Sequence, residues 1–463
     1  MRKMAGLALM IGAALAAGCN STNDSNPPEP SARNVIFFLG DGMGLNTLTA
    51  ARIYGVGEEG SLTIDTLPET AFIKTFSHDS QVTDSAPSMA AYMTGVKSNN
   101  GVISMDSDAT QEADCSKSAG KPVTTLLELA KADGRGTGIV TSTRVTHATP
   151  AATYAHICNR DLEADIAAQL VPGGAGYNGA LKEGLDVVLG GGSSFFLPTA
   201  AKGKRTDGRD LIAEMQAKGY QFASNLEQLN QADASKPLLG LFGSSHMKYD
   251  LDRPASEPSL SQMTLAAIKQ LKGKEKGYFL MVEGGRIDHA LHDTNAKRAL
   301  QDTLAFDDAI KAAIDEVKKT DPELKNTLIL VTADHDHTLV LNGYAKRTGK
   351  TTPSNPGVLG LVKNYTDGEP SKDSDGMPYT IIGFGNGYNR VEGPRSSVAA
   401  LDDATVSAND YHQEVVVSTG DIGNETHGGT DVFLGAIGQG ADSFHGSLDN
   451  TAVFGKVKAA AKL

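Results

Sequence analysis

Three apolar, β-branched runs end on side chains that ligate cations. Val35 to Leu39 leads into Asp41, Tyr278 to Val282 into Glu283, and Leu328 to Thr332 into Asp334 and His335. Runs of that length and composition read as buried strands. Ligands of open α/β sheets bind beyond the carboxyl ends of the strands, so three separate elements deliver metal-type groups to one sheet edge. The glycines of Asp41-Gly42-Met43-Gly44 permit a tight turn that leaves the carboxylate free to bridge two cations. Alone, that motif is an ordinary strand-end turn.

The densest local signal is Glu283-Gly284-Gly285-Arg286-Ile287-Asp288-His289-Ala290-Leu291-His292. Asp288 and His292 stand four apart and share one face of a helical turn, and a carboxylate with an imidazole suits zinc. In Asp334-His335-Asp336-His337, residues two apart in an extended segment rarely reach one ion. Asp334 and His335 are therefore expected to bind metal, while His337 orients a ligating carboxylate from behind. His427, in Glu425-Thr426-His427-Gly428-Gly429, can complete the site that Asp288 and His292 begin.

Thr83-Asp84-Ser85-Ala86-Pro87 places a serine immediately before a helical segment, Pro87 to Thr94, where the helix dipole and a nearby cation favour the alkoxide. Most serines so placed only cap their helix, and most arginines in a segment like Asn159-Arg160-Asp161 only make surface ion pairs. The accompanying motifs turn Ser85 into a nucleophile beside a metal centre.

The motifs Asp-Gly-Met-Gly from 41, Asp-Ser-Ala from 84, Thr-His-Ala-Thr-Pro-Ala from 146, Val-Glu-Gly-Gly-Arg-Ile-Asp-His from 282, Thr-Ala-Asp-His from 332 and Glu-Thr-His-Gly-Gly from 425 closely resemble those of alkaline phosphatases. They occur in order across nearly the whole mature chain. The resemblance implies hydrolysis of phosphate monoesters through a phosphoserine at Ser85, for phosphate scavenging. It implies that Asp288, His292 and His427 hold one zinc ion, and Asp41, Asp334 and His335 a second. Asp41 would also bridge to a magnesium ion that Thr149 and Glu283 help bind. His337 would hydrogen-bond Asp288, and Arg160 would clamp the substrate phosphate. His147 stands where enteric bacterial members carry an aspartate of the magnesium shell, and His289 where a lysine contacts phosphate through water, both as in animal and marine bacterial forms. Gly243 replaces an acid that ligates calcium in animal members. A homodimer is implied.

The elements that must position these groups alternate. Strand-like runs, including Gly138 to Thr141 and Asp186 to Leu189, are separated by helical patterns at Thr124 to Ala132, Gly208 to Lys218 and Ala296 to Lys318. The expected fold is α/β, a three-layer sandwich around a central, mostly parallel sheet. Residues 338–423, rich in Gly, Pro, Ser and Asp, read as an insertion forming a crown or lid. Residues 1–18 read as a secretory signal too short to span a bilayer. Leu15-Ala16-Ala17-Gly18-Cys19 resembles a bacterial lipoprotein cleavage box, with Cys19 to be lipidated. Residues 19–32 then form a polar tether and 33–463 the catalytic domain. The expected location is periplasmic or cell-surface, with the membrane met only through the anchor. Exported, Cys115 and Cys158 either pair as one disulfide or stay as buried thiols.

The formal charge is −13, with no basic cluster, which excludes a nucleic-acid surface. An acidic chain that takes anionic substrates needs metals and an arginine to invert the field locally. Among rivals, a sulfatase needs proline and arginine after its modified nucleophile, but Met89 stands where the arginine belongs. A phosphodiesterase of the same superfamily more often uses threonine without an arginine clamp. A phosphate- or zinc-binding lipoprotein needs no nucleophile between paired cations. His78, His156, His246, His412 and His445 read as structural or exposed, and Met43, Met89 and Met93 as core gap-fillers.

Overall fold

The computed structural model describes residues 31–420 and 424–463. The leader, the lipobox and all but the last two residues of the tether lie outside the described residues. The strands in chain order are β1 (Asn34–Gly40), β2 (Glu69–Lys74), β3 (Gly136–Arg144), β4 (Val187–Gly191), β5 (Gln221–Ala223), β6 (Leu238–Leu241), β7 (Tyr278–Gly284), β8 (Thr327–Ala333), β9 (Asp336–His337), β10 (Leu339–Leu341), β11 (Ile382–Gly387), β12 (Val415–Ser418), β13 (His427–Gly428), β14 (Val432–Gly438) and β15 (Gly446–Asp449).

Ten of them form one sheet in the order β15-β2-β14-β8-β1-β7-β3-β4-β6-β5. From β8 to β5 every pairing is parallel, and β14 runs antiparallel to both β8 and β2. The three strands read from their apolar runs are the centre of this sheet. Every residue of β7 and β8 is buried, as are all but the first of β1, which is why they lack polar alternation. Helices Leu45–Val56, Leu260–Leu271 and Ala296–Lys318 pack together on the sheet, and Ser85–Thr94, Leu126–Asp133 and Asn450–Ala461 form a second group. The longest, Ala296–Lys318, buries Ala299, Leu300, Thr303, Phe306, Ile310, Ala313 and Val317 along one stripe, and Asn295 caps it by accepting from Arg298 N–H.

The helical pattern at Gly208 to Lys218 contracts to Leu211–Ala217, because Asp210 caps that helix by accepting from Ala213 N–H. Between β9 and β13, strands β10, β11 and β12 make a separate three-stranded sheet. Met43, Met89 and Met93 are buried in the core. Among the described residues, no helix is long and apolar enough to cross a membrane.

Candidate active site and metal centre

Register decides where the charged strand ends meet. Gly40 of β1 pairs with Gly284 of β7 on one side and Ala333 of β8 on the other, so Asp41, Glu283 and Asp334 emerge at one level. β3 lies beyond β7 with Thr141 opposite Glu283. The Thr141 and Thr143 hydroxyls both donate to Glu283 Oε2, the latter at 3.0 Å. Sequence reasoning passed over both threonines, although their place at the end of an apolar run was a usable signal.

Past β7 the helix Arg286–His292 turns Asp288 and His292 to the same point, with His292 Nε2 3.3 Å from Asp288 Oδ1. His427 arrives from β13, which pairs antiparallel with β9 so that His427 lies opposite His337. His427 Nε2 is 3.1 Å from His292 Nε2 and 3.5 Å from Asp288 Oδ1. The expected set Asp288, His292 and His427 is thus assembled. The ligand atoms of Asp41, Asp334 and His335 lie within 4.8 Å of one another, and so do those of Asp41, His147 and Glu283. Thr149 Oγ1 donates to Asp41 Oδ2 at 3.2 Å.

Ser85 opens the helix Ser85–Thr94 and does not precede it. Asp84 is the cap, its carboxylate accepting from Ala86 N–H at 2.7 Å, so a capping role for Ser85 is excluded. Ser85 Oγ is buried, 3.3 Å from Asp41 Oδ1 and 3.2 Å from His335 Nε2. Asp84 also accepts from Gly101 N–H and lies 3.4 Å from Arg160 Nη1. Arg160 is held further by its N–H on Gly101 O and by Nη2 donating to His147 Nε2 at 3.1 Å. Cys158, two residues before Arg160, is disulfide-bonded to Cys115, which settles that alternative.

Tautomers follow from these partners, because a carbonyl only accepts. His292 Nδ1 faces Glu425 O, His427 Nδ1 faces Thr83 O and His335 Nδ1 faces Asp336 O. Each Nδ1 therefore carries the proton and each Nε2 presents a lone pair. In that neutral form the Nε2 atoms of His292 and His427, 3.1 Å apart beside Asp288, aim two lone pairs at a point a cation can occupy. In the metal-free protein burial lowers the His292 pKa, but Asp288 outweighs it and holds it above the ordinary value. His337 differs: Nδ1 lies 2.5 Å from Glu425 Oε2 and Nε2 2.8 Å from Asp288 Oδ1. Burial alone would lower its pKa, but Glu425 and Asp288 together hold it well above the ordinary imidazole value. With each nitrogen facing a carboxylate oxygen, His337 is placed to orient Asp288.

The carboxylates carry the same message. Burial, reinforced by Asp288, pushes Asp41 up to about 7; burial, reinforced by Asp41, pushes Asp334 up to about 8; and Glu283 is raised for the same reasons. Burial also pushes Asp288 upward, but the facing His292 and His337 imidazoles outweigh it and hold that carboxyl well below the usual range. Glu283 Oε1 and Asp334 Oδ2 are buried without a hydrogen-bond partner. Orphaned buried carboxylate oxygens beside bare imidazole nitrogens make a donor set that fits divalent cations. Gly42 closes the cradle: its φ of +66° suits glycine, and a Cβ there would meet His337 Nε2 at 2.5 Å.

The family model for alkaline phosphatase matches residues 32–463. The chain belongs to the alkaline phosphatase family. It is 38% identical to the tissue-nonspecific alkaline phosphatase isozyme of Rattus norvegicus over 90% of this chain and 81% of that one. In three dimensions it resembles the alkaline phosphatase of the Antarctic bacterium TAB5, with TM-score 0.66 and 25% identity over 93% of this chain and 99% of that chain. It also resembles the Thermus thermophilus alkaline phosphatase, with TM-score 0.67 and 28% identity over 97% and 96%. The protein is a phosphatase of a metal-dependent family, and its fold is the α/β architecture expected.

One wall of this alkaline phosphatase's site went unread in the sequence. His246, set aside there as structural or exposed, packs its ring 4.2 Å from His289 and 5.4 Å from His147, and Arg144 N–H donates to its Nδ1. Its signal was position, in the loop that follows β6 at the same sheet edge. His289 itself partners Arg286 Nη1 at 2.9 Å. Burial and neighbouring cationic groups keep this wall neutral, His289 falling to about 3 and His147 well below the ordinary value. With Arg160 donating to its Nε2, a neutral His147 is protonated on Nδ1. That nitrogen is buried without a hydrogen-bond partner, in a residue that clusters with Asp41 and Glu283.

Proposed function

We propose that the protein hydrolyses phosphate monoesters through a covalent phosphoserine at Ser85. The observation that carries this reading is the buried Ser85 Oγ at a helix N-terminus, 3.3 Å from Asp41 and 3.2 Å from His335. Asp288, His292 and His427 would hold one zinc ion and Asp41, Asp334 and His335 another, while Asp41, Glu283, Thr149 and His147 surround a magnesium ion. Bound there, the ions supply the positive charge that offsets the oxygens of the transferring phosphoryl group and of the leaving alkoxide.

The chain's own residues do the rest. Arg160, positioned by Asp84 and His147, presents its planar fork to two nonbridging phosphate oxygens, which favours a terminal dianion over a diester. Ser85 Oγ attacks phosphorus as the ester P–O bond breaks and the alcohol departs. A water then attacks the phosphoserine, regenerating Ser85 and releasing inorganic phosphate. Met89, where a sulfatase would need arginine, is wholly buried in the core. The same reading covers residues 1–18 as a signal, Cys19 as a lipid attachment point, export for phosphate scavenging, residues 338–423 as a crown and assembly as a homodimer. The Cys115–Cys158 bond supports an oxidising compartment.

The test is the Ser85→Ala variant on a chromogenic monoester, with acid quench of the wild type during turnover and peptide mapping. We expect a phosphopeptide containing Ser85 in the wild type, and a loss of about 10³-fold or more in kcat in the variant. Full activity without Ser85 would contradict the covalent route.

A further inference from the structure

We propose that Glu425 is the positioning residue for the Asp288, His292 and His427 cation site, an inference that rests on the metal-centre reading above. Glu425 is buried, and all its polar atoms are engaged. Oε2 lies 2.5 Å from His337 Nδ1; Oε1 accepts from Thr338 N–H at 2.6 Å and from Thr338 Oγ1 at 2.5 Å. Its main chain makes the remaining bonds, the carbonyl accepting from His292 Nδ1 at 2.5 Å and the N–H donating to His292 O at 3.0 Å. A carboxylate taken out of water is retained only where such bonds offset its desolvation.

Two first neighbours of the site are held by this one residue. His292 is held directly: the carbonyl forces the proton onto Nδ1 and leaves Nε2 bare toward Asp288 and His427. Asp288 is held at one remove, since the carboxylate pins His337 and His337 Nε2 sits 2.8 Å from Asp288 Oδ1. The third ligand follows two residues on, where β13 pairs with β9 and sets His427 opposite His337. None of the hydrogen bonds of Glu425 reaches Asp41, Asp334 or His335. Its direct contacts therefore serve one of the two zinc sites, so its loss should act mainly on that site, a signature that a general structural role lacks.

The experiment uses the zinc-loaded full chain and follows zinc release to a chromogenic chelator, alongside thermal melting of the metal-free proteins. Glu425→Gln keeps the size and the acceptor for Thr338 but removes the charge that faces His337. We expect one of two zinc ions to leave about 10- to 100-fold faster than in the wild type, the other at the wild-type rate. His337→Gln should accelerate the same ion, and the double variant should release it no faster than His337→Gln alone, because the two residues act in series. Glu425→Asp should recover part of the retention. Unchanged release of both ions, or equal acceleration of both, overturns the proposal. If Glu425→Gln does not fold, His337→Gln still decides, since uniform acceleration there overturns it equally. A wild-type chain that takes up no zinc would instead sink the metal-centre reading, so the two failures are distinguishable.

Discussion

Removing the metal and raising the pH tests the electrostatics of the centre without any substrate. In the metal-free protein Asp41 is raised from 3.8 to about 7 and Asp334 from 3.8 to about 8, burial being the main cause for both. Unfolded, both ionise near 4. A carboxylate whose folded pKa is raised stabilises the fold fully below its unfolded value, and that contribution is lost as pH rises through the folded value. At 1.36 kcal/mol per unit, ionising either one at about pH 9 costs about 4 to 6 kcal/mol, and the two do not add because they share a site. Most of that loss falls between about pH 4 and 6.5; from about pH 6.5 to 9, about 0.7 kcal/mol remains for Asp41 and about 2 kcal/mol for Asp334. With an unfolding entropy of about 2.1 cal/mol/K per residue, a body of this size would lose about 1 to 2 °C in Tm across that range. The window must start near pH 6.5, because below it the buried neutral His147, His289 and His427, all depressed, oppose the trend. The raised His337 and His292 act in the same direction as the carboxylates across the window. The assay is calorimetry of chelator-treated protein from about pH 6.5 to 9, repeated with excess zinc. Saturating zinc at about 100 times Kd adds about 2.7 kcal/mol per site and should flatten the slope. A metal-free Tm that stays level or rises toward pH 9 would refute the claim that these carboxylates are packed for cations.

Two further outcomes follow. Arg160→Ala removes a charged fork worth about 1.5 to 3 kcal/mol, so kcat/KM for a monoester should fall about 10- to 100-fold while that for a diester changes far less; parallel losses would show that Arg160 does not select the dianion. Cys115 and Cys158 close a loop with a sequence separation of 43, so the Cys115→Ser/Cys158→Ser variant should lose up to about 4 kcal/mol of stability by urea titration and, because Cys158 is two residues from Arg160, show a raised KM.

The share of the site that could be read before any coordinates is the share anchored at strand ends. Asp41, Glu283, Asp334 and His335 follow apolar runs that have no alternative to burial, and parallel pairing brings the ends of such runs to one level. Asp288 and His292 were legible through helical spacing. The helix at Ser85 was read two residues short, since Pro87 marks a first turn whose start is set by the Asp84 side chain. His246 and the hydroxyls of Thr141 and Thr143 were marked only by their position at the sheet edge, because their partners Glu283, His289 and His147 lie on other elements and no spacing connects them.

Residue chemistry and short-range order were thus determined by the sequence alone: which groups could ligate, which serine could attack, which runs form the sheet centre. Tertiary structure decided the proton positions. His292 is set by the carbonyl of Glu425 and His427 by that of Thr83, partners 133 and 344 residues away. A main-chain carbonyl carries no side-chain identity, so nothing in the letters of the chain marks it as a partner. Only the fold brings it within 3 Å of a histidine and leaves the other nitrogen free for a cation.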